Sequence, residues 1–178
     1  MYITYKKKSR TATVKSNKKI VGLPLDAKRL IFDYDFNKPI NEGDLPISIT
    51  HIIFGSNFNQ PVNESNLPAN LTHLTFGYYF NQPIDGLPNS LTHLVFDAYF
   101  NQPVDSLPNS LISLIFKSSE FKQLLNMLPV NLSHLSIKSA CYDKELNNLP
   151  YNLKTLRLSS SYPIEKIKLP FGCKVITT

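Results

Sequence analysis

The sequence predicts a mainly β solenoid, with a parallel sheet along one face, irregular proline-rich returns along the other, and few or no helices. Three observations carry this. A Leu-Pro pair recurs at Leu23, Leu45, Leu67, Leu87, Leu107, Leu128, Leu149 and Leu169, at intervals of 22, 22, 20, 20, 21, 21 and 20 residues. A repeat this short is a single coil that cannot bury its apolar face alone. With each leucine as position 1, apolar residues at positions 8 and 10 alternate with more polar neighbours, the spacing of a strand with one face inward. Proline returns at Pro39, Pro61, Pro83 and Pro103, where it fixes φ and withholds a donor, so the return limb is extended rather than helical.

The columns justify each part of the coil. Position 5 runs from Ala27 and Ile49 through a series of leucines to Cys173, and position 8 runs from Leu30 to Leu156 and then Ile176. Position 10 holds Phe32, Phe54, Phe76, Phe96 and Phe116, then Ile137 and Leu158. The frame L-P-x-x-L-x-x-L-x-F is leucine-rich-repeat-like. Stacked at about 4.8 Å per strand, eight copies span on the order of 35–40 Å. On the return limb an aromatic column (Phe36, Phe58, Phe80, Phe100, Phe121, Tyr142, Tyr162) precedes Asn37, Asn59, Asn81 and Asn101 in four copies. Buried polar groups are bonded, so these asparagines are expected to form ladders to the backbone of adjacent coils, with the rings as a stacked spine.

Residues 1–22 precede the Leu-Pro series, and residues 23–178 carry it. The leader holds seven basic residues, among them Lys6, Lys7, Lys8, Arg10, Lys18 and Lys19, and no acid. The remainder has twelve basic and thirteen acidic side chains, so the net charge of +6 comes from the leader. Two β-prone pieces, 2–5 and 10–15, suit a strand or hairpin covering the open end of the stack. The alternative is a basic arm of Lys6, Lys7, Lys8 and Arg10 for nucleic acid or an anionic surface. No aromatic lies between Lys6 and Lys19, which argues against single-strand binding. The two longest copies place their extra residues at 41–44 and 63–66, where small loop bulges are expected. The 21-residue copies gain theirs just after the strand, at 117–120 and 138–141. Residues 117–127 come nearest to a helical turn.

One domain of 178 residues with 42% hydrophobic content can build a real core. No apolar run reaches membrane-spanning length, and the start lacks the apolar stretch of a secretory signal. Cys141 and Cys173 occupy different repeat positions, so a disulfide is not expected and a reducing, cytoplasmic setting is.

All four histidines, His51, His73, His93 and His134, occupy position 7, which should face outward one strand from the next. A row of imidazoles does not make a tetrahedral metal site, and no cysteine or carboxylate stands beside them, so no metal is expected. A bonded ladder or a partner-contacting face is. Position 9 adds Ile53, Thr75, Val95 and Ile115 to that face, and Tyr79 and Tyr99, with Tyr78, follow their strands. Outward apolar residues and tyrosines mark docking surfaces; the other reading of the tyrosine rings is that they only cover the sheet edge. No phosphate-cradling glycine loop, G-x-S-x-G, C-x-x-C or H-E-x-x-H pattern occurs, so neither catalysis nor a cofactor is expected.

The segments Phe58-Asn59-Gln60-Pro61-Val62, Phe80-Asn81-Gln82-Pro83-Ile84 and Phe100-Asn101-Gln102-Pro103-Val104, with Leu-Pro-x-x-Leu-Thr-His-Leu before the latter two, resemble the FNIP repeat family of amoebae and the giant viruses that infect them. The resemblance covers about residues 23–178 and thins toward the C terminus. It implies a leucine-rich-repeat-like fold and a protein-interaction role: a scaffold or adaptor binding a protein partner, a host ubiquitin-ligase component or substrate, in the host cytoplasm if viral. The 22 residues before the first copy leave no room for the F-box-like module that some members carry. Nucleic-acid binding through the leader, and self-assembly through terminal strands near 174–177, are the other readings.

Overall fold

The structure, a computed structural model, describes residues 2–15 and 20–178. Lys18 and Lys19 of the basic leader lie outside the described residues. A single ten-stranded sheet runs in strict chain order: β1 (Tyr2–Lys6), β2 (Thr11–Lys15), β3 (Arg29–Phe32), β4 (His51–Ile53), β5 (His73–Thr75), β6 (His93–Phe96), β7 (Ser113–Phe116), β8 (His134–Ile137), β9 (Thr155–Leu158) and β10 (Lys174–Thr177). Only β1 is antiparallel to its neighbour; every pair from β2 to β10 is parallel. This is the leucine-rich-repeat-like β-solenoid expected from the period. Among the described residues the only helical pieces are two single 3-10 turns, Lys7–Ser9 and Ile164–Lys166. Residues 117–127 form no helix.

Positions 5, 8 and 10 point inward in every coil up to β9 and are buried. Their core is braced by two columns of rings. Phe36, Phe58, Phe80, Phe100, Phe121, Tyr142 and Tyr162 stack at 5.9–6.3 Å between centroids. The position 10 phenylalanines stack beside them, and the two columns meet within each coil at 3.7–4.4 Å. Offset ring pairs add to the area that each phenylalanine removes from water.

Each asparagine of the return limb is half-buried and bonds forward. Asn37 Oδ1 accepts from the Asn59 backbone N–H at 2.9 Å and from Gln60 Nε2 at 3.0 Å, and Asn59 and Asn81 repeat the pair to the next coil. Asn101 ends the ladder by accepting from the Lys122 N–H and Gln123 Nε2. The longer copies do form turns at their corners: the Asn41 N–H donates to Asp44 Oδ2, and the Asn63 N–H to Asn66 Oδ1.

The inserted residue after β7 is handled by a buried hydroxyl. Where the corner between strand and aromatic is one residue shorter, a backbone N–H bonds the carbonyl one coil back, Asn57 to Tyr34, Tyr79 to Ser56 and Tyr99 to Tyr78. After β7 the Ser118 hydroxyl donates to the Ala98 carbonyl at 2.7 Å instead. At Gly55 and Gly77 the chain of one coil presses on the backbone of the coil before it, so a Cβ on Gly77 would run into the Gly55 carbonyl.

One sequence assignment is corrected. The last copy is one residue shorter than the frame assumed: Val175 pairs with Leu156, and Lys174 with Thr155. Val175 therefore takes position 8, and Ile176, expected inside, is 36% exposed. The hairpin expected over the open end of the stack forms as β1 and β2, and β2 extends the parallel sheet upstream of the first Leu-Pro pair. In β2, Ala12 and Val14 lie beside Leu30 and Phe32, and both are fully buried.

Candidate functional site: the outer face of the sheet

Odd positions of the strands face away from the core and assemble one continuous surface. Strand register sets His51 beside His73 and His73 beside His93. The rings stack at 4.1 and 4.2 Å between centroids, tilted by 12° and 5°. His134 is separated from this stack by Ser113.

Each imidazole is oriented by the hydroxyl before it. Thr50, Thr72 and Thr92 Oγ1 lie 2.8–2.9 Å from Nδ1 of the following histidine, and Ser133 Oγ lies 2.7 Å from that of His134. The Thr72 hydroxyl also donates to the Thr50 carbonyl, and the Thr92 hydroxyl to the Thr72 carbonyl. A hydroxyl has one proton. With that proton on the carbonyl, the oxygen accepts from Nδ1–H, which leaves the Nε2 lone pair of His73 and His93 as the outer acceptor. His51 and His73 are held below the usual histidine value, His73 at about 4, first by burial and then by repulsion from neighbouring cations. Imidazoles stacked face to face cannot converge on one ion, and no group of three or more metal-ligating side chains occurs among the described residues.

Beside the histidines, Ile53, Thr75, Val95 and Ile115 form a half-buried column. At its edge Tyr78, Tyr79 and Tyr99 form an exposed aromatic cluster. Tyr78 meets the other two edge-on at 5.0 and 5.1 Å, and Tyr79 stacks on Tyr99 at 5.5 Å. All three are 43–47% exposed, far above the spine rings. Sequence reasoning named these residues singly; the structure brings the tyrosines together.

The basic residues of the leader lie elsewhere. Lys6 ends β1, Lys7 and Lys8 make the 3-10 turn, and Arg10 follows in the left-handed region at φ 48°. All four are exposed on the tip of the terminal hairpin, whose second strand belongs to the sheet.

The face continues past Ile115 into a cleft of about 510 Å³ around Ser136, bordered by Lys117, Lys138 and Arg157. These three basic residues concentrate charge that no repeated column announces. No described helix is long and apolar enough to cross a membrane.

The FNIP Repeat family model matches five overlapping segments, residues 17–57, 36–79, 58–97, 80–119 and 100–140. No curated protein sequence is detectably similar. Among solved structures the chain is similar to CroV588, a giant-virus protein described as a circular leucine-rich-repeat structure. The two are 34% identical with a TM-score of 0.69, over 93% of this chain and 30% of that one. The chain thus spans less than a third of that protein's length. With its repeats matched over most of their length and its coils wound as theirs predict, this chain belongs to the FNIP repeat family.

Proposed function

We propose that the protein is a non-catalytic scaffold that docks a partner protein on the outer face of its sheet. The observation that carries this is the continuity of outward-facing recognition groups, the half-buried stack of His51, His73 and His93 running beside Val95 into the exposed Tyr78, Tyr79 and Tyr99 cluster. A rigid sheet holds these rings without further ordering cost, and tyrosine contributes large contact area with a polar tip. The leucine-rich-repeat-like architecture supports the same reading, since stacked coils present extended binding surfaces. Both cysteines are free and Cys141 is exposed, which suits the cytoplasm.

Affinity capture from the cells that make the protein tests the proposal. Val95→Asp and Tyr99→Ala should each lose the partner, whereas Asn89→Asp, off this face, should retain it. Retention by both face variants sinks the proposal. A ubiquitin-ligase component or substrate is the partner class that the family resemblance suggests.

Self-assembly is a second reading, favoured by one observation. Among the described residues strand β10 bonds to β9 alone, with its other edge unpaired, and such an edge is a template for another strand. Sedimentation that is independent of concentration would count against it.

A further inference from the structure

We propose that the cleft around Ser136 is a phosphoryl-binding site for a phosphorylated side chain of the partner protein. This rests on the docking face proposed above and gives that face its chemistry. Position 9 is filled by Val95 and Ile115 in the preceding coils, but the next rung holds serine, and the following one Arg157. The loss of volume at Ser136 opens the cleft. Lys117 and Lys138, one coil apart at position 11, border it together with Arg157, and no carboxylate lines it.

Two features of this cleft are unexplained by folding. The three cations form no ion pair; the one found among the described residues joins Lys144 to Asp143. Lys117 and Lys138 share position 11 on adjacent rungs, about 4.8 Å apart along the sheet, and Arg157 stands on the next rung, so like charges are brought together and repel. The Ser136 residue is only 6% exposed, yet its hydroxyl has no hydrogen-bond partner among the described residues. A buried hydroxyl left unpaired opposes folding.

A phosphoryl group answers both. Its nearly two negative charges offset the cations, and its three terminal oxygens accept from ammonium, guanidinium and hydroxyl at once. A carboxylate brings one charge and two oxygens. A phosphodiester chain needs a continuous basic track, whereas from residue 51 to residue 113 the outward columns contain no lysine or arginine. Ile115 flanks the cleft and offers an apolar wall to the peptide that carries the group.

Titration of the isotope-labelled full chain tests this, with three peptides alike except for phosphoserine, serine or aspartate at the centre, and with a short single-stranded oligonucleotide. Saturable amide shifts confined to residues 113–117, 134–138 and 155–158 are expected with the phosphopeptide, none with the serine peptide, and roughly tenfold weaker binding with aspartate. Lys138→Gln and Arg157→Gln should each weaken phosphopeptide binding about tenfold. Ser136→Ala should weaken it several-fold without lowering the melting temperature, which separates lost binding from lost fold. Equal binding of aspartate, tighter binding of the oligonucleotide, shifts centred on Lys6 to Lys8, no binding at all, or full affinity in Arg157→Gln overturns the proposal. These readouts need no native partner, so they can fail while the capture experiment on Val95 and Tyr99 succeeds, and the reverse.

Discussion

Asn81 Oδ1 accepts two hydrogen bonds from the following coil, from the Asn101 backbone N–H at 2.9 Å and from Gln102 Nε2 at 3.0 Å. The return limb has no strand ladder of its own, and its prolines cannot donate. This oxygen therefore contributes, on the return limb, inter-coil bonding of the kind that a sheet supplies elsewhere. Asn81→Ala should cost about 2–3 kcal/mol, because it leaves a half-buried N–H and a side-chain amide without their acceptor. Asn81→Asp keeps the acceptor and should cost less. Urea unfolding of the two variants checks the order, and an equal loss in both would show that the oxygen is not what matters.

The stacked spine has one misfit. Tyr142 stands where five coils upstream carry phenylalanine, and its hydroxyl is buried without a hydrogen-bond partner among the described residues. Burial pushes that phenol's pKa well above its usual value. Tyr162, one coil later, instead donates to the Lys144 carbonyl at 2.7 Å. Tyr142→Phe should therefore stabilise the protein by about 1 kcal/mol, while Tyr162→Phe should destabilise it by a similar amount. Thermal melts of the pair settle the matter. A destabilised Tyr142→Phe would mean that the hydroxyl finds a partner after all.

Much of this fold is legible because each column repeats. Leu74 can be assigned inward from sequence since Ile52 and Leu94 say the same, and Asn59 is legible as a ladder because Asn37 and Asn81 flank it. Legibility fails where a residue has no counterpart. Ser118 looks like one more polar residue after a strand, yet it is fully buried because the coil is longer there and a backbone donor has moved out of reach. The shortened last coil broke the count from Leu169, and only pairing with β9 shows Val175 beside Leu156. In the N-terminal coil Ala12 and Val14 lack the Leu-Pro marker, so burial alone reveals them. On the outer face, position 7 was read correctly as a row, but the cleft at Ser136 depends on a difference between rungs. A search for sameness passes over that signal.

The histidine row makes stability depend on pH in a definite direction. In the unfolded chain an imidazole takes up a proton near pH 6.5. In the folded chain His73 resists until about pH 4, chiefly through burial and then through His51, His93 and Arg29, and His51 is also lowered, chiefly through burial and then through Arg29 and His93. Between those values the unfolded state binds more protons than the native state, so stability rises with pH. The contribution is complete above about 6.5 and lost as pH falls toward 4. Wild type should thus lose stability on acidification more steeply than His73→Gln. Carboxylates titrating near the lower end act on both proteins alike, so the difference between the two curves reports the imidazole. Half-exposed rings are partly screened by solvent, which keeps that difference modest. Urea midpoints taken from pH 7.5 to 4.5 provide the check, and parallel curves for the two proteins would show that the stacked rings accept protons as freely as those of the unfolded chain.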